Sequence, residues 1–525
     1  MTDNKNLSKT NTHNGSLNKI VKGTSFVSIG FLISYFFILV SSILIARRWT
    51  ASEIGVYSLA NSLFQIFMII CTLGLIQGLV RCIAHARGKK EFQKIPVFIL
   101  SSIFYSFITS IIISILLFFL SDYLSNNIFH ESALILPLKI FAISLPFVTL
   151  NIIFIAIFRG FEQIRPFVYF RHILGRGLIL IFIIIIIFLN YSFNSLFYAH
   201  LISGIIILIS IIIYTLRKLK FLKKEYDFKL IFGAETKELL SFSLPLLIVD
   251  ILDLVILWTS TLILGVLKTT AETGFYNIAK PFADFIGFPM IALMITFIPV
   301  FSKMYSSGNL NEMRSNYLLL TKWICLLTLP IFIIFFLYTD QLISITVGPN
   351  YLPSANALRI LVFAYIIMNF SGPTNSTIIA LGKSRFLMYI TVSGAFLIIS
   401  LNFLLIPTYG VNGAAIGTSS AFIFMTLIKI FKVYSLSKIK PFGYKLIKPT
   451  LLSIVFIIPI YFFTNTIINY WWSLILLGLL LYVVYLISVI LTKSFEEEDI
   501  FMLDLIEQKT GIKTDKIKAF LTRFI

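Results

Sequence analysis

The sequence predicts an all-α integral membrane protein with about 14 transmembrane helices. Hydrophobic residues make up 58% of the 525-residue chain, charged residues make up only 13%, and the mean hydropathy is +0.95. Such values exclude an ordinary soluble domain. Apolar runs are as long as the roughly 20 residues that cross a bilayer, and basic clusters alternate with loops that lack lysine and arginine.

The apolar runs between polar breaks define the predicted spans. These are 25–46, 55–79, 96–120, 134–157, 167–189, 195–216, 239–266, 274–302, 317–338, 356–380, 386–406, 411–434, 447–468 and 471–491. The C-terminal tail opens with Ser494 and Glu497 at capping-box spacing, and we expect it to form an amphipathic helix on the bilayer surface. A regulatory or partner-binding role for the tail is the alternative.

Basic residues cluster on alternate loops, as the positive-inside rule requires of cytoplasmic segments. The clusters precede span 1 and follow each even-numbered span, whereas opposite loops such as SDYLSNNIFHE and TNTIINY contain no lysine or arginine. The protein is therefore predicted to be multi-pass in the plasma (inner) membrane with both termini in the cytoplasm. The net charge of +20 fits this topology and contact with anionic membrane lipids. A nucleic-acid partner is not expected, because the basic residues are spread over many separate loops.

A short pattern occurs twice in the chain. The segment GVYSLA at 55–60 returns 219 positions later as GFYNIA at 274–279, and Lys139 and Arg359 match at nearly the same offset. This register predicts two parallel six-helix lobes, spans 1–6 and 7–12, followed by two additional helices, an organisation typical of transporters. The predicted segments are an N-terminal cytoplasmic tail (1–22), the first lobe (23–216), a basic cytoplasmic linker (217–237), the second lobe (238–436), the two additional helices (437–492) and the cytoplasmic amphipathic tail (493–525).

Several motifs resemble the multidrug/oligosaccharidyl-lipid/polysaccharide exporter (MOP) superfamily, specifically its polysaccharide (O-antigen type) flippases. They are the Gly-x-Tyr-x-x-Ala pattern that opens spans 2 and 8, FSLPLL in span 7, the turns IFRGFEQIRP and LGKSR, and YGVNGAAIGT in span 12. The resemblance implies two six-helix lobes that move polyprenyl-phosphate-linked or diphosphate-linked oligosaccharides. Relatives often carry an acidic residue near the end of span 7, where this chain has WTST at 258–261. A coupling-ion site is therefore not transferred by position.

Charged side chains inside apolar spans are the best candidates for a transport site, because burying one is costly unless it is paired or hydrated. Arg176 lies in the cytoplasmic half of span 5, close to Arg171 and His172, and Lys280 lies in the external half of span 8. Arg176 and Lys280 are predicted to bind an anionic phosphate in a central cavity, where a low dielectric constant strengthens the attraction.

Three carboxylates are candidates for coupling transport to H⁺ or Na⁺. Asp250 and Asp253 lie on one face of span 7, and Asp284 lies one turn after Lys280 in span 8. The alternative interpretation is structural. In that case Asp250 or Asp253 neutralises Lys280 where spans 7 and 8 meet.

Further candidates come from the repeat. Subtracting the repeat offset of 219 from Lys280 and Asp284 gives the equivalent positions Asn61 and Gln65 in span 2. The amides of these two residues would bind sugar hydroxyls or, alternatively, hold helices together. Lys139 and Arg359 lie near the external ends of their spans and would bind a diphosphate together. Their alternative role is snorkelling to external headgroups.

The sequence therefore predicts a flippase for a lipid-linked oligosaccharide in polysaccharide biosynthesis. It is expected to be a monomer that works by alternating access, with a cation gradient as a candidate driving force. One alternative is a multidrug antiporter of the same superfamily. Another is a membrane-embedded glycosyltransferase or glycan polymerase, which the short external loops and the lack of a paired-carboxylate or metal motif disfavour. A non-transporting scaffold would not require buried charges. No enzymatic activity, cofactor or metal site is predicted.

Overall fold

A computed structural model describes residues 27–219, 228–306, 310–439, 444–464, 468, 470–494, 499–500, 507 and 518 of the chain. Throughout these residues, all regular structure is helical. The all-α prediction is therefore confirmed.

The helices of the first half follow the predicted spans closely. In chain order they are α1 (Val27–Arg48), α2 (Ala51–Thr72), α3 (Leu75–Gly88), α4 (Lys94–Tyr123), α5 (Ile135–Gly160), α6 (Ile164–Val168), α7 (Gly175–Phe188) and α8 (Ser195–Lys218). A π-helical turn, Tyr169–Leu174, joins α6 to α7, so that predicted span 5 is one continuous rod with an irregular centre.

The described part of the second half contains nine further α-helices. They are α9 (Ala234–Leu267), α10 (Thr270–Ser306), α11 (Leu310–Leu337), α12 (Thr339–Thr346), α13 (Ala355–Phe370), α14 (Thr374–Ala380), α15 (Ser384–Ser437), α16 (Tyr444–Thr464) and α17 (Trp471–Leu491). The long α15 has a break at Gly410, whose φ of 52° and ψ of −125° are not helical.

Twelve helical segments of the described chain are long and apolar enough to cross a membrane. One of them, Arg385–Ser437, has 53 residues. A straight helix of that length would measure about 80 Å, more than twice the roughly 30 Å of a hydrocarbon core. The break at Gly410 therefore fits the two separate spans predicted there, and α10 occupies predicted span 8. The count of about 14 spans remains a prediction.

The distribution of polar and apolar side chains is that of a bilayer protein. On α4, Phe119 is 76% exposed, whereas Ser102, Ser106, Ser110 and Ser121 are fully buried. Small hydroxyl residues allow close approach of helices, and the Ser102 hydroxyl donates to the Phe98 carbonyl of its own helix at 2.8 Å. Exposed aromatic rings along such a helix are favourable only next to lipid.

The chain packs as two compact units. One unit comprises Ile33–Pro281 and Thr391–Ala421, and the rest of the chain forms the other. Packing thus groups α9 with the first six spans. The repeat-based domain boundaries concern sequence duplication rather than packing, and they remain predictions.

A buried ion pair fixes the start of the C-terminal segment to α11. Asp499 is fully buried and pairs with Lys322, and it also accepts a hydrogen bond from the Trp323 indole at 2.9 Å. Lys322 Nζ donates in addition to the Ser494 carbonyl at 2.6 Å. The predicted capping partner Glu497 and most of the predicted amphipathic tail lie outside the described residues.

We predict that Asp499→Ala lowers the stability of the purified protein by about 3–5 kcal/mol, because it leaves the Lys322 ammonium buried without its counter-ion. Thermal unfolding in detergent, followed by fluorescence, measures the effect. The double variant Lys322→Met with Asp499→Leu is the matched control, and it should recover most of the lost stability. An Asp499→Ala protein as stable as the wild type would contradict a structural role for this pair.

Candidate functional site

Arg176 stands at the centre of the candidate site. It is the second residue of α7, directly after the π-helical turn, and its side chain is exposed. Its charge interacts electrostatically with Tyr57 of α2, Tyr35 of α1 and His200 of α8. The groups on which this charge acts thus belong to three other helices. Within the described chain, Arg176 has neither an ion pair nor a side-chain hydrogen bond.

A further cation, Arg171, lies close to Arg176 in the chain and strengthens its positive field. Arg171 belongs to the π-helical turn, and its charge interacts with those of Arg176 and Arg159. Like charges that are held together favour the arrival of an anion, since the anion relieves their mutual repulsion. The region around Arg176 is therefore suited to a phosphate group.

Tyr57 and His200 form a polar pair beside Arg176. The Tyr57 hydroxyl and His200 Nε2 are 2.7 Å apart, and both residues are half-buried. The Phe197 ring lies 5.9 Å from that of Tyr57, the Phe141 ring lies 5.7 Å from that of His200, and the two phenylalanines are 5.3 Å apart, all between centroids. The aromatic packing fixes the position of the hydroxyl.

The predicted residues Asn61 and Gln65 follow Tyr57 at intervals of four residues on α2, so that the three share one face of the helix. We call this the polar face of α2. Both amides are half-buried, and in the part of the chain that the structure describes neither side chain makes a hydrogen bond. Helix-to-helix hydrogen bonds, the alternative role for these amides, are thus not formed here, and the amides are available to a ligand.

Lys280, the other predicted phosphate ligand, is engaged at a contact between helices. Its ammonium group donates to the Leu257 carbonyl of α9 at 2.5 Å and lies 4.5 Å from the centre of the Trp258 ring. A backbone carbonyl and an aromatic face both stabilise a cation in a poorly solvated place. The structure therefore does not bring Lys280 together with Arg176 in the way that the sequence suggested, and its role in binding remains a prediction.

The predicted ion-coupling carboxylates are arranged in two groups. Asp250 and Asp253 interact with each other on α9, and one oxygen of Asp250 is buried without a hydrogen-bond partner. Neither residue forms an ion pair with Lys280 among the described residues, and both the coupling role and the structural alternative remain predictions. Asp284 accepts a hydrogen bond from the Tyr365 hydroxyl of α13.

The external cations Lys139 and Arg359 each pair with a nearby acid. Lys139 Nζ lies 3.0 Å from Asp122, and Arg359 lies 2.6 Å from Asp340. The two pairs are related by the repeat, since both members recur at nearly the same offset. These acids neutralise the positive charges that were predicted to bind a diphosphate. Diphosphate binding by Lys139 and Arg359 therefore remains a prediction, and a structural role in these ion pairs competes with it.

The two repeat motifs meet at the first turns of α2 and α10, the ends that the charge pattern predicts to be external. A Cβ atom on Gly55 would lie 1.8 Å from the Thr270 carbonyl oxygen, and one on Gly274 would lie 1.9 Å from the Ala51 carbonyl oxygen. Only glycine permits so close an approach at either position. We call this reciprocal contact the glycine crossing.

Hydrogen bonds surround the glycine crossing. The Thr270 hydroxyl lies 2.6 Å from the Ser52 hydroxyl and 3.1 Å from a carboxylate oxygen of Glu131, which precedes α5. These residues thus join the starts of α2, α5 and α10, which are predicted to be external.

Sequence reasoning missed the helix-start signal that precedes each glycine. Thr50 caps α2 and exchanges hydrogen bonds with Glu53 in a capping box, and the Thr269 hydroxyl accepts from the Glu272 backbone N–H at 3.2 Å. The repeated pattern is therefore Thr-x-x-Glu-x-Gly-x-Tyr-x-x-Ala, five residues longer than the pattern first recognised. The Thr-x-x-Glu spacing of a capping box, which stands just before each glycine, is the sequence signal that reveals these helix starts.

Comparison with known proteins places the chain in a family. The family model described as "Polysaccharide biosynthesis protein" matches residues 44–356, which is more than half of the chain. The chain belongs to the polysaccharide biosynthesis protein family. The resemblance to the polysaccharide branch of the MOP superfamily is thereby confirmed.

Two curated relatives of this family member extend over most of its length. The putative O-antigen transporter of Shigella flexneri is 25% identical over 76% of this chain and 94% of its own. Stage V sporulation protein B of Bacillus subtilis is 22% identical over 86% of this chain and 89% of its own. The relative named for a transport function is a transporter and not an enzyme, in agreement with the prediction of a non-enzymatic protein.

Solved structures show the same fold. The lipid II flippase MurJ in an inward closed conformation aligns with a TM-score of 0.71 at 18% identity, covering 91% of this chain and 99% of MurJ. An inward-facing multidrug resistance transporter of the MOP superfamily aligns with a TM-score of 0.62 at 15% identity, covering 79% of this chain and 98% of its own. The family member thus has the fold of this transporter superfamily.

Proposed function

We propose that this protein is a flippase that moves a lipid-linked oligosaccharide across the plasma membrane for polysaccharide biosynthesis. The observation that carries the proposal is Arg176, an exposed arginine whose charge acts on groups of three other helices and which has no counter-ion in the described chain. Membership of the polysaccharide biosynthesis family supports the substrate class. A positive charge kept unpaired inside a membrane protein is costly, and its retention is explained when the substrate supplies the negative charge.

Different candidate residues would bind different chemical parts of the proposed substrate. Arg176 would bind the polyprenyl phosphate or diphosphate, since a guanidinium forms paired hydrogen bonds to phosphate oxygens. The amides of Asn61 and Gln65 would bind sugar hydroxyls, because an amide both donates and accepts. The isoprenoid chain would remain in contact with the bilayer, where its transfer costs nothing.

Alternating access requires that the external ends of the helices open and close. We assign external closure to the glycine crossing, because it joins the first helix pair of each repeat through contacts that tolerate no side chain. The surrounding hydrogen bonds of Ser52, Thr270 and Glu131 would break when the crossing opens. Polar contacts of this kind favour a reversible closure, since water replaces them when they separate.

A cation gradient would act through Asp250 and Asp253. We predict that the double variant Asp250→Asn with Asp253→Asn reduces gradient-stimulated translocation about tenfold, because a neutral amide neither releases a proton nor attracts Na⁺ strongly. Translocation in liposomes with and without an imposed H⁺ or Na⁺ gradient measures the effect. Glu238→Gln, which removes an exposed acid from the same helix, is the matched control. Undiminished stimulation in the double variant would exclude this pair as the coupling site.

The function is tested with purified protein in liposomes. The assay asks whether a fluorescent polyprenyl-diphosphate oligosaccharide crosses the bilayer, while an ordinary phospholipid and a cationic dye are measured alongside. Translocation of the glycolipid alone is the expected result. Translocation of the dye alone would instead assign drug antiport, the function of the multidrug relatives in the superfamily, and would make the Asp250 and Asp253 pair the main site.

A further inference from the structure

The Tyr57–His200 pair has a counterpart in the second repeat. Tyr276 occupies the position of Tyr57 in the repeat motif, and Thr418 occupies nearly that of His200. The Tyr276 hydroxyl lies 2.9 Å from the Thr418 hydroxyl, as the Tyr57 hydroxyl lies 2.7 Å from His200. Each repeat thus holds its motif tyrosine through one hydrogen bond to a helix near the end of that repeat.

The two pairs differ in their surroundings. Tyr276 is only 1% exposed, and Thr418 also bonds to the Ser260 hydroxyl at 2.7 Å, so the second pair lies in a closed polar network. Tyr57 is half-buried and interacts with the accessible charge of Arg176. The same tyrosine is therefore a packing residue in one repeat and borders the candidate site in the other.

Hydrogen-bond direction decides what the first pair does. The 2.7 Å contact allows either group to donate, since the tautomer of the His200 ring sets the direction. When the neutral ring carries its proton on Nε2, that N–H donates to the Tyr57 oxygen, and the phenol proton is left to donate elsewhere. An anion bound by Arg176 is the acceptor that best uses this proton.

We propose that Tyr57 donates a hydrogen bond to the phosphate group held by Arg176, and that His200 is the positioning residue that orients the Tyr57 hydroxyl for it. The inference rests on the proposed function, because it assumes a phosphate-bearing substrate at Arg176. It assigns a ligand role to the first-repeat tyrosine and a packing role to the second. The Tyr57–His200 pair would thus supply a directional hydrogen bond to the phosphate, whereas Arg176 would supply the positive charge.

The test is a binding assay on the full-length protein in detergent with a fluorescent short-chain isoprenyl diphosphate as the probe. Tyr57→Phe should weaken binding about tenfold, since a hydrogen bond to a charged group is lost. Tyr276→Phe makes the same chemical change in the closed network and should leave binding unchanged. His200→Phe should weaken binding as Tyr57→Phe does, whereas His200→Gln, whose amide can still donate, should restore most of it.

The outcomes separate this inference from the proposed function. Probe binding that Arg176→Ala abolishes but that Tyr57→Phe and His200→Phe leave intact would overturn the inference alone. No probe binding by the wild type would overturn both. Competition by phosphatidylglycerol as strong as that by unlabelled isoprenyl diphosphate would assign the site to membrane headgroups and overturn the substrate assignment. If Tyr57→Phe fails to fold, the contrast between His200→Gln and His200→Phe decides the matter.

Discussion

Arg176→Ala should abolish translocation of the lipid-linked oligosaccharide while the protein still accumulates in the membrane. The guanidinium has no counter-ion in the described part of the structure, so its removal breaks no ion pair there and does not weaken the fold in that way. Loss of a charge-assisted interaction worth about 1.5–3 kcal/mol lowers binding by at least about tenfold. In an interior of low dielectric constant we expect the larger end of that range. Liposome translocation of the fluorescent glycolipid measures the effect.

The matched control is Arg165→Ala, which removes an exposed arginine from the start of the same rod. That variant should translocate at the wild-type rate, because Arg165 lies at the predicted cytoplasmic end. Arg176→Lys should retain part of the activity, since lysine keeps the charge and loses the paired hydrogen bonds. Wild-type translocation by Arg176→Ala at normal protein levels would remove this residue from the site.

Most of the fold was predictable because membrane insertion imposes simple rules on sequence. Apolar length and the pattern of basic loops located the helices to within a few residues, as at Trp471–Leu491, where the prediction and the structure coincide. The irregularities were not predictable. Leu73 adopts a left-handed conformation between α2 and α3, and nothing in a leucine signals that conformation. The π-helical turn before Arg176 likewise arises from packing.

The candidate site was only partly predictable, for a different physical reason. The sequence shows which charged residues lie in apolar segments, and by that criterion Arg176 and Lys280 are equivalent candidates. Whether such a charge is already satisfied depends on which helices pack together, and the structure gives Lys280 a carbonyl and a tryptophan face. The acids that pair with Lys139 and Arg359 come from neighbouring helices in the same way. Whether a buried charge is already paired is therefore decided by contacts between residues that are far apart in the sequence.

The glycine crossing leads to a second large expected effect. Gly55→Ala and Gly274→Ala should each hold the external ends of the helices apart, because a methyl group would meet a backbone carbonyl at less than 2 Å. An overpacking cost of about 1–3 kcal/mol shifts the equilibrium toward the open state by about 5- to 150-fold. Translocation should therefore fall by at least about fivefold, since a protein that cannot close externally cannot complete its cycle.

External opening is measured by thiol labelling. Leu59 is fully buried one turn beyond Gly55, and the three native cysteines are buried, so Leu59→Cys reports on the crossing with little background. A membrane-impermeant reagent added outside should label this cysteine faster in the Gly55→Ala protein. Gly88→Ala is the matched control, because a Cβ there meets nothing within 4 Å. Slow labelling together with normal translocation in Gly55→Ala would show that the helices close elsewhere, and the crossing would then be a packing contact only.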